Sequence, residues 1–319
     1  MIDAIKFTRG AIARKDFVAE LTHFRIADGR ITGFNGMLAL SSPIELDLDV
    51  RPKASTFAKA VQACETTTTM HLTPAGRLSI KSGKFKALID CLPDDHAMTP
   101  VVPDGWDIDL GDKFMDAVRA VAPFTGVDAS RPWAMGIMLK GQSAFATNNV
   151  CFVEYWHGHQ MPFPMNIPKE CITELLRINQ TPSRVTATES SITFHFADGR
   201  WMKSQLYVDN WPEQAFKLFD MHQFEYESVP EGLFEAMQKI KPFLDKDTRV
   251  WFRDNGVATS QHDEEGAHVE VEGLIEGPCF QFPALTLLEK ATHIDFMPHP
   301  KPCGFLADGM RGMILGLRN

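Results

Sequence analysis

FMDAVRAVAPF at residues 114–124 and LFEAMQKIKPF at residues 233–243 decide how this chain is built. In the first, Phe114, Ala117, Val118 and Val121 fall at i, i+3, i+4 and i+7. In the second, Leu233, Ala236, Met237 and Ile240 do the same. That spacing is the apolar stripe of an amphipathic helix. Both copies run into Pro-Phe, at Pro123-Phe124 and Pro242-Phe243, where the missing proline N–H stops the helix. A weaker third copy is the N-terminal segment with Ala4, Phe7 and Ala11. One helix recurring in this way predicts an internal repeat.

Working outward, a second helix type follows the first. Phe57, Ala60, Val61 and Cys64 form its first copy, Ile172, Leu175 and Leu176 the middle one, and Ala284, Leu287, Leu288 and Ala291 the last. A proline suited to a helix start stands near each, at Pro52, Pro168 and Pro283. The intervening chain reads as hairpins. FRIADGRITGFNGMLAL, MGIMLKGQSAFATNNVCFVEYW and TRVWFRDNGVATSQHDEEGAHVEV turn at Gly or Asn-Gly type residues. Further hairpins turn at Ser82-Gly83, Asp198-Gly199 and Asp308-Gly309, and Leu92-Pro93 and Trp211-Pro212 mark expected domain boundaries. The expected fold class is therefore α+β: three repeated domains at 1–104, 105–217 and 218–319, each with two helices packed on antiparallel sheet.

The whole-chain properties agree. At 319 residues the chain is too long for one ordinary domain. With 44% hydrophobic and 23% charged residues it reads as globular, and no run is apolar enough to cross a membrane. The charged start MIDAIKFTRGAIARKD lacks a signal-peptide core, so a cytoplasmic location is expected. Cys64, Cys91, Cys151, Cys171, Cys279 and Cys303 show no CxxC spacing and read as reduced thiols. The net charge of −9 is unevenly spread: residues 3–15 and residues 51–64 each sum to +3, while the other four helical spans sum to zero. A basic helical face tracks phosphates without reading bases, and an acidic exterior repels them. Domains repeated in line also leave sheet edges free at both chain ends, which head-to-tail contacts between copies close into a ring.

Several stretches resemble a known family. Ala146-Thr147-Asn148-Asn149 stands where the bacterial beta sliding clamps (DNA polymerase III beta subunit) have an Ala-Thr-Asp-Gly hairpin. Asn166-Ile167-Pro168-Lys169 with Glu174-Leu175-Leu176 resembles a helix entry of that family. Ser204-Gln205-Leu206 with Asn210-Trp211-Pro212 resembles one of its strand ends, and Met313-Ile314-Leu315-Gly316-Leu317-Arg318 resembles its C-terminus. The similarity is clearest in the middle repeat. Asn149 in place of glycine and Gly316 in place of proline depart from the pattern, as expected of a divergent or phage-encoded member.

The resemblance implies a ring-forming DNA clamp fold and a processivity factor that encircles duplex DNA. It implies a homodimer, a clamp loader and a DNA polymerase as partners, and no cofactor. Phosphate contacts are expected from Arg9, Arg14, Lys53, Lys59, Arg119, Lys169, Arg177, Lys239 and Lys241. A pocket for partner peptides is implied at Ala134, Thr147, Phe152, Phe219, Met313, Leu315 and Leu317. The subunit interface is expected to use Lys84, Phe85, Lys86 and Leu88 of a strand, with Leu285 and Leu288 of a helix at 285–290.

Catalysis finds little support. No GxSxG, P-loop, HExxH or dinucleotide fingerprint occurs. Trp156-His157-Gly158-His159 and the stretch His262-Asp263-Glu264-Glu265 with His268 carry metal-ligand side chains, but read as solvated turns. Asp90, Asp94 and Asp95 form an acidic cluster at an expected linker. The alternative reading is a monomeric clamp-like protein that competes for polymerase or loader peptides, and a hydrolase built on the His-rich loops is the remaining one.

Overall fold

The computed structural model describes residues 1–15, 17–65, 67–93, 101–208, 211–262 and 265–318. Asp94, Asp95, Asn210, Asp263 and Glu264 lie outside the described residues.

Three helices share one design: α1 (Ile2–Thr8), α3 (Phe114–Val121) and α5 (Leu233–Ile240). Each tightens into a 3-10 turn, at Arg9–Ala11, Ala122–Phe124 and Lys241–Phe243. In the last two a proline within the turn withdraws an N–H from the α ladder, as the sequence predicts. The expected stripes are the buried faces: Phe114, Ala117, Val118 and Val121 in α3, and Leu233, Ala236, Met237 and Ile240 in α5. The second type is α2 (Ala54–Gln62), α4 (Lys169–Ile178) and α6 (Phe282–Thr286). The helix expected at 285–290 ends sooner. α6 stops at Thr286, and Leu287, Leu288, Glu289 and Ala291 close 3-10-type bonds instead.

Contacts divide the chain into two compact units, residues 1–109 with 170–206, and residues 110–169 with 207–319. The middle third is thus shared between them. In the first unit a seven-stranded sheet runs in the order Arg25–Ala27, Arg30–Phe34, Leu38–Pro43, Trp201–Gln205, Ser191–His195, Arg184–Ala187, Trp106–Ile108. Its seam pairs Trp201 with Ser41 and Ser204 with Leu38, so strands far apart in sequence cover each other's edges. A three-stranded sheet, Thr68–Leu72, Arg77–Ser82 and Phe85–Asp90, encloses a core with α2 that includes Phe24, Ile26, Phe57, Val61, Leu78, Ile80 and Ile89. Asp90, expected in a linker, is instead the last residue of a strand, paired with Arg77 at 2.9 Å.

The second unit repeats the plan. Its eight-stranded sheet has the order Met165–Pro168, Gly136–Lys140, Ser143–Thr147, Cys151–Trp156, Met310–Ile314, Cys303–Ala307, His293–Ile294, Glu227–Ser228. The seam is Cys151 against Ile314 and Phe152 against Met313. A four-stranded sheet follows the order His268–Glu270, Gly256–Ala258, Arg249–Arg253, Cys279–Gln281. Two of the expected hairpin turns, Asp28-Gly29 and Asp254-Asn255, hold both central residues at positive φ, the I′ geometry that matches strand twist.

Candidate functional site

The eight-stranded sheet of the second unit has two faces of different character. Side chains alternate along each strand. Ala144, Ala146 and Val153 turn to one face of the two strands against which α3 packs. Met138, Phe145, Phe152 and Met313 project from the other face and form one apolar cluster with Trp211 and Phe219. The cover on that side is an irregular segment, the 3-10 turns Glu213–Lys217 and Phe219–Met221, which brings Ala215, Phe216 and Leu218 onto the sheet.

Aromatic rings dominate this shelf. Trp133 meets Trp211 edge-on at 5.2 Å, Phe145 meets Phe216 edge-on at 5.1 Å, and Phe152 lies 5.3 Å from Phe219. Such pairs add about 0.5–1.5 kcal/mol each beyond their area. The Trp133 carbonyl accepts from Trp211 Nε1 at 2.8 Å and from Asn166 Nδ2 at 2.9 Å, so the Trp211 indole and the Asn166 amide are held at one point. Cations stand over two rings. Lys140 Nζ is 4.0 Å from the Phe216 ring and pairs with Glu213 at 3.1 Å. Arg311 is 4.3 Å from the Phe219 ring and pairs with Glu154 at 2.6 Å. Phe224 lies flat over Gly304, where an added Cβ would meet its ring at 2.5 Å.

Of the seven residues expected to line a peptide pocket, the structure brings Phe152, Phe219 and Met313 into this cluster. Thr147 is the register partner of Phe152, and its hydroxyl donates to the Cys151 carbonyl at 2.7 Å. Ala134, the next residue after Trp133, is buried, and its carbonyl accepts the Gly126 N–H. Leu315 is 44% exposed, while Leu317 packs instead on Trp251, Ala258 and Cys279. The tail is tied there: the Leu317 N–H donates to the Cys279 carbonyl at 2.8 Å, and the Cys279 N–H donates to His299 Nε2 at 3.0 Å. An added Cβ at Gly316 would meet His299 Cδ2 at 2.1 Å, so only glycine admits that imidazole. Trp133, Trp211 and Phe216 were not among the expected residues. For Trp211 and Phe216 the only sequence signal is aromatics crowded after Asn210, in a stretch with no helical or strand period, and Trp133 lies far from them in the chain.

The nine expected phosphate contacts are placed as follows. Arg9, Arg14, Lys53, Lys59, Arg119, Arg177, Lys239 and Lys241 are exposed, and Lys169 is half-buried with Nζ 3.4 Å from the Gly126 carbonyl. Two of the exposed ones pair with an acid of their own helix. Arg119 pairs with Asp116 at 3.0 Å. Arg177 pairs with Glu174 at 2.6 Å and donates to the carbonyls of Lys6 and Phe7 at the end of α1. Arg177 thereby holds α1 to α4.

Among the expected interface residues, Lys84, Lys86 and Leu88 are exposed and Phe85 is half-buried against the first unit's core. Leu285 and Leu288 are buried within their own chain, so their side chains offer no surface to a partner.

The remaining chemistry-bearing groups are structural. His157 is buried, with Nδ1 accepting the His159 N–H, and burial lowers its pKa below the usual histidine value, with His159 adding to the effect. Burial likewise pushes the thiols of Cys151, Cys171 and Cys303 up to about 12, which keeps them protonated and unreactive. Among the described residues no group of three or more His, Cys, Asp or Glu is placed to hold a metal ion, and no helix is long and apolar enough to cross a membrane.

Antiparallel sheets closed by distant strands, with paired helices repeated along the chain, define an α+β protein of the DNA clamp fold. In particular, the chain has the fold of the bacterial DNA polymerase III beta sliding clamps. It aligns over 100% of its length with the beta subunit from DNA polymerase of Streptococcus pyogenes, at a TM-score of 0.81 and 18% identity, covering 97% of that chain. The DNA polymerase sliding clamp from Bacillus subtilis matches over 100% of this chain and 97% of its own, at 0.80 and 16% identity. The DNA polymerase III beta sliding clamp of Pseudomonas aeruginosa bound to griselimycin gives 0.80 and 13% over the same shares. No protein-family model and no curated protein matches the chain.

Proposed function

We propose that this chain is a DNA sliding clamp, a non-enzymatic processivity factor that encircles duplex DNA and tethers a replicative polymerase. The observation that carries the reading is the end-to-end fold match with three structures named as polymerase clamps or beta subunits. Three repeated domains, at 1–104, 105–217 and 218–319, are supported by the three α-to-3-10 helices that recur along the chain. Two copies head to tail supply six such domains and close a ring.

The mechanism is topological. Exposed cations such as Arg9, Lys53, Lys59 and Lys239 meet phosphates without reading bases, so the ring slides. The polymerase and the clamp loader dock by apolar peptides on the aromatic shelf of the second unit, beside exposed Leu315. Tethering raises local polymerase concentration instead of adding base contacts. The chain works in the cytoplasm, where its DNA and polymerase are.

Light scattering at micromolar concentration tests the ring. The expected mass is about twice 35.7 kDa, with retention on nicked circular DNA and loss from linear DNA of the same length once a loader has acted. A species that stays at one chain's mass at all concentrations, and is kept by neither DNA, overturns the ring and favours a monomeric competitor for polymerase peptides.

A further inference from the structure

One loop of the first unit carries a side chain that the fold does not use. The loop leaves the 3-10 turn after α1 and returns at Leu21. Its base is pinned: the Ala13 N–H donates to the Leu21 carbonyl at 2.9 Å, and Leu21 and Ala11 are buried. The returning 3-10 turn Ala19–Thr22 is braced at its far end, where the Thr22 hydroxyl donates to the Ala19 carbonyl at 2.7 Å and His23 Nδ1 reaches the same oxygen at 2.7 Å. These bonds fix where the loop leaves and rejoins the domain.

At the tip, Phe17 is 109% exposed, so its whole ring is in water. Val18 beside it is 45% exposed, and Arg14 and Lys15 on the other side are exposed cations. With Asp16 the four residues from Arg14 to Phe17 still carry one net positive charge. A single exposed ring carries no message by itself, so the weight falls on the cations that flank it in the same loop. A bare ring and two cations in one short loop are the combination that single-stranded nucleic acid recognises, because every base offers a π-face and every linkage a phosphate. Duplex DNA offers the phosphates but keeps its bases stacked.

We propose that this loop is a contact site for unpaired nucleobases, with Phe17 as the stacking face and Arg14 and Lys15 holding the flanking phosphates. This goes beyond non-specific sliding on duplex: it lets the protein distinguish a junction carrying single-stranded DNA from uninterrupted duplex.

The test measures binding of the full chain to two short fluorescent DNAs, a blunt duplex and the same duplex with a single-stranded tail. Phe17→Ala is expected to weaken binding of the tailed DNA by about tenfold, the scale of one lost stacking contact, and to leave the blunt duplex unchanged. Arg14→Ala and Lys15→Ala are expected to weaken both, each lowering the salt slope by about one. Phe17→Trp is expected to keep the preference and to show fluorescence quenching only with the tailed DNA. Equal affinity of wild type and Phe17→Ala for the tailed DNA, or equal losses on both DNAs, overturns the proposal. So does a wild type that binds neither. Because short linear DNA threads a ring and also reaches a monomer, a negative result here is separable from the mass measurement that tests the ring.

Discussion

The turn at Asn148-Asn149 shows how one residue preserves a geometry that glycine usually provides. Asn149 sits at φ 71, in the left-handed region where a Cβ is penalised. Asparagine tolerates it, and its Oδ1 accepts from Arg131 Nη1 at 2.7 Å. Asn148 does the complementary task, its Oδ1 accepting the N–H groups of Val150 at 3.1 Å and Cys151 at 2.7 Å. Local hydrogen bonding of this kind is why asparagine stands in for glycine in turns. Asn149→Gly is therefore expected to keep wild-type stability. Asn149→Val, β-branched at positive φ, is expected to cost about 1–2 kcal/mol, read as a lower denaturant midpoint. Equal midpoints for the two variants would mean that the turn relaxes freely.

At the scale of elements, the aromatic cover of the eight-stranded sheet combines two kinds of contact with very different weights. The deep ones are hydrophobic: Phe219 is buried against Phe152 and Met313. Truncating such a ring costs about 3–5 kcal/mol. The rim contacts are electrostatic and exposed. Lys140 over Phe216 adds about 0.5–1 kcal/mol as a cation–π contact. Its pair with the exposed Glu213 adds about 0–1 kcal/mol. Phe219→Ala is accordingly expected to lower the global unfolding midpoint. Lys140→Ala is expected to leave that midpoint nearly unchanged while speeding amide exchange across residues 213–221. Unaltered exchange there in Lys140→Ala would show that the rim cation does not hold the segment.

The legibility of these elements from sequence follows the same physics. α3 and α5 were readable because each buries one face, and one-sided burial writes a 3.6-residue period into the chain. α6 was read too long. Leu288 is buried after the helix has ended, so the apolar spacing persisted where the hydrogen-bond ladder did not. The cover segment could not be read as an element at all, since a 3-10 turn laid on a sheet buries residues by contact with distant strands and has no period of its own. Phe152, Phe219 and Met313 came from family resemblance, whereas Trp133 and Trp211 required knowing that the two chain segments meet.

On the scale of the whole molecule, closing a ring requires two copies that each carry nine net negative charges to approach one another. Global repulsion opposes that, and the proposed ring needs a local contact of opposite charge to offset it. The three-stranded sheet of the first unit, residues 68–91, holds four basic residues, Arg77, Lys81, Lys84 and Lys86, against Asp90. The stretch holding the four-stranded sheet of the second unit, residues 249–281, holds seven acidic residues against two basic ones, and Glu270, Glu272 and Glu276 are exposed. The strand Phe85–Asp90 ends its sheet and exposes Lys86 and half of Leu88, with Lys84 exposed in the turn before it. Charges within about 10 Å across an interface outweigh net charge spread over a whole chain, because salt screens the longer distances first. The sign of the salt effect decides between the two. If net repulsion dominates, added salt tightens the dimer. If the basic sheet of one copy meets the acidic sheet of the next, added salt loosens it, and that is the expected result by sedimentation between about 0.05 and 0.5 M salt. Lys84→Glu with Lys86→Glu is then expected to raise the dimer Kd by about tenfold or more. Combining that pair with Glu270→Lys and Glu272→Lys in the same chain restores opposite charges across the contact and is expected to recover dimer. Dissociation that persists in the four-site variant would place the subunit contact on other surfaces of the two units.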